Sequence, residues 1–506
     1  MSTGQTTAAT GCEHVDVLVV GAGISGIGAA WHMTHQRPET SFVVLEAEGS
    51  YGGTWLTHNF PGIRSDSDLY TFGYRFKPWV GPPIATAAEI QAYLGAVIDE
   101  NDLGRHIRYG HRITTANWDS AAQCWTVTAV RTDTGEQLRF TANFLWMCQG
   151  YYRHRQGFMP EWPGMADYQG TIAHTEEWDD SLDYAGKQVL VIGSGATAAT
   201  VVPEMAKTAG HVTMLQRSPT YFIPGRNAVD IADTLRLLQV DENWIHEIVR
   251  RQRNFEGAEI TRRCFEEPDA VRAELLEGVR ALLPPDYDMR HFTPNYLPWR
   301  QRIAFVPDGD LFAGICAGKA SVVTDEIAHF TPTGVALKSG ASIDADVIVA
   351  ATGFNLLPLG GIDFSIDGVA LDFPNSVTWR GMMFTGVPNL IWVFGYFRAS
   401  WTLRADLIGD FMIRLLNDMA ARGATSVVPV LRPHEAGLER LPWIAPENMN
   451  SGYLQRGMHL LPRRLDTPEW QHSQDYWLEK DVFPTIDLDD GTLHFAGPKP
   501  QALAAE

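Results

Sequence analysis

Cysteine is scarce in this chain. Its 506 residues hold five, Cys12, Cys124, Cys148, Cys264 and Cys316, an odd number with no C-x-x-C pair. That excludes a disulfide framework, a thiolate zinc site and a dithiol redox centre, and it fits a reducing compartment, so a cytoplasmic location is expected. Positive charge is also short: 40 Lys and Arg against 60 Asp and Glu leave a formal net charge of −20. Nucleic acid and anionic membrane surfaces are poor partners for such a chain, and any anionic ligand must be met by local cations and helix ends. There is no long apolar run. The most apolar stretch, 381–397, is broken by Gly381, Gly386, Pro388, Asn389 and Gly395. It falls short of the ~20 clean apolar residues of a membrane span and reads as buried strands and turns, so no integral membrane segment is expected. Residues 1–13 lack a basic head and an apolar centre, so a flexible tail over 1–14 is expected rather than a targeting signal. No short-period repeat is present. No His, Cys, Asp or Glu cluster has metal-ligand spacing, and no metal is expected. The whole chain is 45% apolar and 20% charged, ordinary for a globular enzyme of two or three domains.

Against these absences stands one dense stretch. The apolar run 17–20 reads as a buried strand, and Gly21-Ala22-Gly23-Ile24-Ser25-Gly26 follows as a tight turn into a small-residue helix. A second apolar run, 42–45, ends on Glu46, 20 residues past Gly26. This is a dinucleotide fingerprint with strand, turn, helix, strand and acid in register. Gly21 turns the chain, Gly23 admits a pyrophosphate to the backbone and Gly26 lets the helix sit close on the strand. Ser25 lies in the same turn, Glu46 can accept from both ribose hydroxyls, and the helix N-terminus favours an anion. The motif recurs. The run 189–192 leads into Gly193-Ser194-Gly195-Ala196-Thr197-Ala198, and the next strand, 212–215, ends on Gln216-Arg217. An acid at that position would repel a 2′-phosphate, whereas Arg217 can fork onto it. FAD is therefore expected in the first site and NADPH, in preference to NADH, in the second. The fold class follows: α/β, with two Rossmann-like dinucleotide-binding domains.

Just past the first unit, Gly52-Gly53-Thr54-Trp55 suits backbone passing close to a ring system, with Trp55 as a flat apolar wall, and Arg64 and Asp66 place opposite charges in one short loop. The stretch 52–66 resembles the flavin-side signature of the type I Baeyer–Villiger monooxygenases, A/G-G-x-W-x4-F/Y-P-G/M-x3-D, at every fixed position. Residues 168–179 resemble that family's F-x-G-x3-H-x3-W-P/D: Gly170, His174, Trp178 and Asp179 match, while Tyr168 replaces the usual Phe. This segment precedes the second unit, where a linker would run. His174 is expected to hold that linker or tune domain movement rather than to shuttle a proton. Pro298-Trp299-Arg300-Gln301-Arg302, with Arg64-Ser65-Asp66-Ser67-Asp68, 215–221 and 399–403, narrows the resemblance to the ethionamide-activating, actinobacterial-type subgroup over most of the chain, weakening after about residue 430. The resemblance implies that Arg302 is the active-site arginine, with Arg300 a near competitor. It implies that Asp66 orients Arg302, that Gly53, Thr54, Trp55, Asp66 and Tyr70 serve FAD, and that Ser194, Ala196, Thr197 and Thr352 serve the nucleotides.

The expected division is a first FAD-domain part over 15–155, an NADPH domain over 156–344, a second FAD-domain part over 345–430 and a C-terminal wrapping segment over 431–506. Helical spacing of Leu235, Leu238, Ile245, Val249, Val271 and Leu275 marks a helical insertion in the NADPH domain at about 225–295, and its basic run 250–253 reads as a solvated face. Aromatics over 68–79 read as core lining. Tyr453, Leu454 and Trp477 are candidates to reach a substrate pocket.

The resemblance implies an NADPH-dependent flavin monooxygenase that inserts one oxygen atom of O2 into a ketone, giving an ester or lactone, and that also sulfoxidises thioethers. Such chemistry builds negative charge on oxygen. Arginine stays protonated throughout, so Arg302 is the candidate stabiliser. Two other readings remain. One is an N- or S-oxygenating flavin-containing monooxygenase without ketone oxidation, from which the Trp178-Asp179 ending separates this chain. The other is a nucleotide-binding redox sensor that oxygenates nothing. The expected partners are a small ketone or sulfide and O2, with the chain a monomer or weak homo-oligomer.

Overall fold

Val17 to Val20 have both faces covered, which is why this run shows no polar alternation. The computed structural model, which describes residues 12–445 and 449–497, places them at the centre of a large sheet. Strand Glu13–Val20 pairs in parallel with Phe42–Leu45 on one side and with Gln137–Met147 on the other. Ile107–Arg108 and Leu390–Trp392 extend this parallel layer at its two edges. The first half of Gln137–Met147 instead continues an antiparallel meander with Cys124–Arg131 and His111–Asp119. The central strand begins at Glu13, inside the stretch expected to be tail. Glu13 pairs with Phe140 in register and its carboxylate holds Arg108 at 2.6 Å. Residues 1–11 lie outside the described residues.

The second lobe carries a five-stranded parallel sheet in the order Ala320–Thr324, His211–Gln216, Gln188–Ile192, Val347–Ala350, Thr171–His174. Strand Val347–Ala350 is wholly buried between two neighbours, so this lobe runs past the boundary expected at 344/345. The chain crosses between lobes twice. The crossing strands, Tyr152–Gly157 and Phe354–Leu356, pair antiparallel as a two-stranded hinge.

Helices Asp230–Leu237, Glu242–Glu266 and Pro268–Arg280 form the expected insertion. Its start packs on the first lobe: Val229, Ala232, Ile245 and Val249 join that lobe's core. The basic run is not a solvated face. Arg250 is 6% exposed and donates to the carbonyls of Tyr70, Thr71 and Gly73 at 3.0, 3.1 and 2.9 Å. Arg253 lies 3.0 Å from Asp68, and Arg251 alone of the three arginines stays open to solvent. The cause is the short helix Leu69–Phe72, whose last carbonyls have no partner within the helix and are met by the guanidinium.

The C-terminal segment does more than wrap. Ser426–Pro429 pairs with Leu493–Ala496, and Glu479 accepts from the Nε of fully buried Arg404 at 2.8 Å. Among the described residues no helix is long and apolar enough to cross a membrane.

Candidate active site

Both glycine turns leave their strands at the carboxyl ends, and these ends face one cavity of about 1620 Å³. A pocket for one drug-sized ligand is roughly 300–1,000 Å³, so this space suits more than one group. Gly26 lets the first helix, Ile24–Gln36, lie against its strand: a Cβ there would sit 1.8 Å from the Gly21 carbonyl oxygen. Gly193 has φ +142° and a Cβ would meet the Ala351 carbonyl at 2.4 Å. Gly23 and Gly195 differ. A Cβ on Gly23 would find nothing closer than Gly53 Cα at 3.6 Å, and one on Gly195 nothing within 4 Å. The protein itself tolerates a side chain at both places, and each lines the cavity at the N-cap of a helix without a side-chain cap. Two uncapped helix N-termini with cleared backbone are seats for two pyrophosphates.

The acid and base that follow the two turns also reach the cavity. Glu46 is 7% exposed and accepts from the N–H of Ala22 at 2.6 Å and of Glu48 at 2.8 Å. Burial raises its carboxyl above the ordinary value, against the pull of those two donors. Arg217 is exposed on the cavity wall, with no carboxylate in ion-pair range among the described residues. Gly53, Thr54, Trp55, Ser194, Ala196, Thr197 and Thr352 line the same space.

Arg302 and Asp66 meet there. The guanidinium Nε lies 2.7 Å from one carboxylate oxygen, and a terminal nitrogen donates to the other at 2.8 Å and to the Ser67 hydroxyl at 3.2 Å. Among the described residues the second terminal nitrogen reaches only the Phe397 carbonyl, at 3.4 Å. Burial works against the Arg302 charge, but Asp66 and the neighbouring tyrosines outweigh it and hold the group above the ordinary arginine value. Arg300 goes elsewhere. The chain turns at Trp299, φ 59°, and the Arg300 guanidinium stacks 5.0 Å over the Phe265 ring, outside the cavity lining.

Tyr70 is not a cavity residue. It is buried in the first lobe's core and its hydroxyl donates to the Gly81 carbonyl at 3.3 Å. Helix Leu69–Phe72 turns that ring inward, while Phe72 lines the cavity instead. Gly170, His174, Trp178 and Asp179 also stand outside the lining. His174 is packed so tightly that a Cβ on Gly157 of the crossing strand would fall 1.7 Å from its ring, and its Nδ1 accepts from the Glu176 N–H at 3.0 Å. Burial lowers the imidazole, against Glu176. Trp178 packs in the second lobe's core and Asp179 accepts from Ser181 at the surface. Of the four, His174 is the one packed on a crossing strand.

Sequence reasoning missed several cavity residues. Tyr151 and Tyr152 share a hydrogen bond between their hydroxyls, Tyr151 stacks on Trp401 at 5.3 Å and Tyr152 on Phe354 at 4.1 Å. With Tyr453 they flank Arg302, and burial holds all three phenols above their ordinary value. Of the other two residues considered with Tyr453, Leu454 is core and Trp477 is 39% exposed and away from the cavity. The buried pair His58 and Glu176, 2.7 Å apart, joins the first lobe to the linker. The stretch after Gly150 carried an aromatic pair as its only signal, and His58 and Glu176 carried none.

Comparison with known proteins bears on this arrangement. A Flavin-binding monooxygenase-like family model matches residues 81–231, and an NAD(P)-binding Rossmann-like domain model matches 19–79. The FAD-containing monooxygenase EthA of Mycolicibacterium smegmatis is 42% identical over 486 residues, covering 96% of this chain and 97% of that protein. The protein of the same name from Mycobacterium tuberculosis is 42% identical over 487 residues, covering 96% and 98%. Among solved structures, an oxidized steroid monooxygenase bound to NADP shares the fold with a TM-score of 0.74 at 23% identity, covering 96% of this chain and 100% of that one. A cyclohexanone monooxygenase from Rhodococcus sp. Phi1 bound to NADP+ does so with a TM-score of 0.71 at 20% identity, over 96% and 100%.

Proposed function

Because this chain belongs to the FAD-containing monooxygenases, we propose that it is a Baeyer–Villiger monooxygenase, using FAD and NADPH to insert one atom of O2 into ketones, with thioethers as a second substrate class. The balance is one ketone, O2, NADPH and a proton consumed, and one ester or lactone, NADP+ and water released. FAD, when bound, supplies the oxygen activation, with electrons drawn from NADPH.

The chain's own residues do the rest. The N–H groups at the start of Ile24–Gln36 seat the FAD pyrophosphate, Glu46 accepts from its ribose hydroxyls, and Trp55 walls the ring. Gly193, Gly195 and the start of Ala196–Met205 seat the NADPH pyrophosphate, and Arg217 takes the 2′-phosphate. Arg302 supports negative charge that grows on the substrate oxygen, and Asp66 fixes the guanidinium plane. The aromatic wall of Tyr151, Tyr152, Phe354 and Trp401 excludes water from that end.

The observation that carries this reading is the Arg302–Asp66 pair set in the same cavity as both glycine turns. The test is a panel of acyclic, cyclic and bulky ketones beside thioethers, with product identified by mass and NADPH consumption measured in parallel. Ester or lactone from any ketone supports the proposal. Oxygenated amines or sulfides with no ester from any ketone would replace it with the N- or S-oxygenating reading.

A further inference from the structure

Four arginines that line the cavity face a carboxylate. Arg64 meets Asp310, Arg302 meets Asp66, and Arg155 and Arg112 share Glu48. Arg217 and Arg456 do not, nor does Arg153; among the described residues no carboxylate lies in ion-pair range of these three. In a chain with 60 acids against 40 Lys and Arg this is a departure from local pairing. The acids at that end are otherwise engaged. Asp325 accepts from the N–H of Glu326 at 2.7 Å and of Ser339 at 3.4 Å, and Glu326 holds Lys338 at 2.6 Å.

Arg456 comes from the C-terminal helix Gly452–Gly457. Its guanidinium carbon lies 3.5 Å from the centre of the Phe158 ring, and one N–H reaches the Phe354 carbonyl at 3.3 Å. It sits beside Gly353, on the return from the second lobe, with a terminal nitrogen 3.7 Å from where a Gly353 Cβ would be. Among the described residues four of the five guanidinium N–H groups remain for a ligand. The stacked ring fixes the plane without using those donors. Arg217 follows strand His211–Gln216 and Gly353 follows Val347–Ala350, the two strands that flank Gln188–Ile192, so both guanidiniums stand at the same sheet end and line the same cavity. Burial, and then the Arg217 charge, lower the basicity of Arg456.

We propose that Arg456 is a second cation for the 2′-phosphate of NADPH, forming with Arg217 a two-arginine clamp. The inference rests on the proposed NADPH dependence. A phosphate dianion between the two guanidiniums converts their repulsion into two charge-assisted forks. The clamp draws one jaw from the strand end after His211–Gln216 and the other from a segment more than two hundred residues later. The same helix carries Tyr453 to Arg302, so phosphate recognition and the oxygenation end share one support.

The test uses FAD-loaded full-length enzyme, titrated by calorimetry with NADP+, NAD+ and 2′,5′-ADP. Arg456→Met keeps an apolar stem over Phe158 and removes the charge. It should weaken NADP+ and 2′,5′-ADP by about tenfold or more, with NAD+ changed less than about twofold. The salt dependence of NADP+ binding should flatten, and Arg456→Lys should recover part of the loss. Flavin content and melting temperature should match the wild type, which a merely structural role would not allow. Wild-type NADP+ affinity in Arg456→Met would overturn the clamp, and so would an equal loss for NADP+ and NAD+. A wild-type enzyme that binds NAD+ as tightly as NADP+ would overturn the NADPH reading itself.

Discussion

Replacing Arg302 by Ala separates oxygenation from nucleotide oxidation, and the structure sets the size of the effect. The Nε and one terminal nitrogen are taken by Asp66 at 2.7 and 2.8 Å, while the other terminal nitrogen has only a 3.4 Å contact with Phe397. That nitrogen is the donor left for a substrate oxygen. A unit negative charge about 4 Å from the guanidinium gains about 4 kcal/mol at an effective dielectric near 20, and Asp66, about 3 Å farther, takes back roughly 2.4. The net field is worth about 2 kcal/mol, and a hydrogen bond to a charged group adds about 1.5–3. The Arg302 side chain is 40% exposed, so solvent screening trims the sum. The expected loss of ester formation is on the order of 10²–10³, the range seen when one preorganised donor is removed. NADPH should still be oxidised, with the reducing equivalents appearing as hydrogen peroxide. The assay measures ester by gas chromatography, NADPH by absorbance and peroxide by a coupled dye, all on one sample. Arg302→Lys should fall between, since a point charge cannot copy the fork. Arg300→Ala should leave the ester-to-NADPH ratio near that of the wild type. Wild-type coupling in Arg302→Ala would refute the reasoning, and if Arg300→Ala failed instead the role would pass to that neighbour.

Gly23→Val should fold with an unchanged circular dichroism spectrum and purify colourless, because the added side chain fills the seat of the pyrophosphate; stoichiometric flavin in that variant would move the first site elsewhere. Arg250→Met should lower stability by about 3–5 kcal/mol, read as a shift of the urea midpoint, because it removes the cation 3.6 Å from buried Asp406 and strands the carbonyls of Tyr70 and Gly73, that of Thr71 keeping the Thr402 hydroxyl. Acid should weaken the fold in two steps. Burial, with the Arg404 charge adding, lowers the His472 imidazole to about 3 from an ordinary 6.5, so its contribution is whole above 6.5 and is lost as pH falls toward 3. Burial opposes ionisation of Glu479, but Arg404 and His472 bring its carboxyl down to about 2 from an ordinary 4.5, so its contribution is whole above 4.5 and is lost toward 2. Melting temperature should therefore decline below about pH 6.5 and more steeply below about 4.5. His472→Gln should shrink the first step, with buried His32 and His246, each lowered to about 4, keeping the rest of it.

The glycine turns were legible because strand, glycines and helix follow one another at a fixed spacing. Gly26 meets the Gly21 carbonyl within its own turn, while Gly21 and Gly193 meet the carbonyls of Cys148 and Ala351, more than a hundred residues later, and were read from the spacing alone. Arg302 was legible through its string, but its distinction from Arg300 needed the turn at Trp299, which two residues of sequence do not encode. Arg250 was misread because its partners, the carbonyls of 70, 71 and 73, lie about 180 residues earlier and have no side-chain signature. Tyr70 was misplaced for a related reason: the one-turn helix around it decides which aromatic faces the cavity, and Phe72 takes that place. Arg456 fell in a segment whose composition says only that it is polar and Pro-containing. Side chains that act across lobes depend on docking, and docking leaves no periodicity in either segment.

Arg250 sets the mechanics of the second lobe. The paired crossing strands Tyr152–Gly157 and Phe354–Leu356 are one attachment between lobes. A lobe held at one place can tilt in any direction. The insertion, seated by Arg250 on the end of Leu69–Phe72, is a second attachment, and each added attachment removes a direction of tilt. Asn59–Asp180 at 3.1 Å and Arg64–Asp310 at 2.6 Å are further ties between the lobes. Cutting Arg250 out of the molecule should therefore do more than cost stability: it should also loosen the seat of the second lobe on the first.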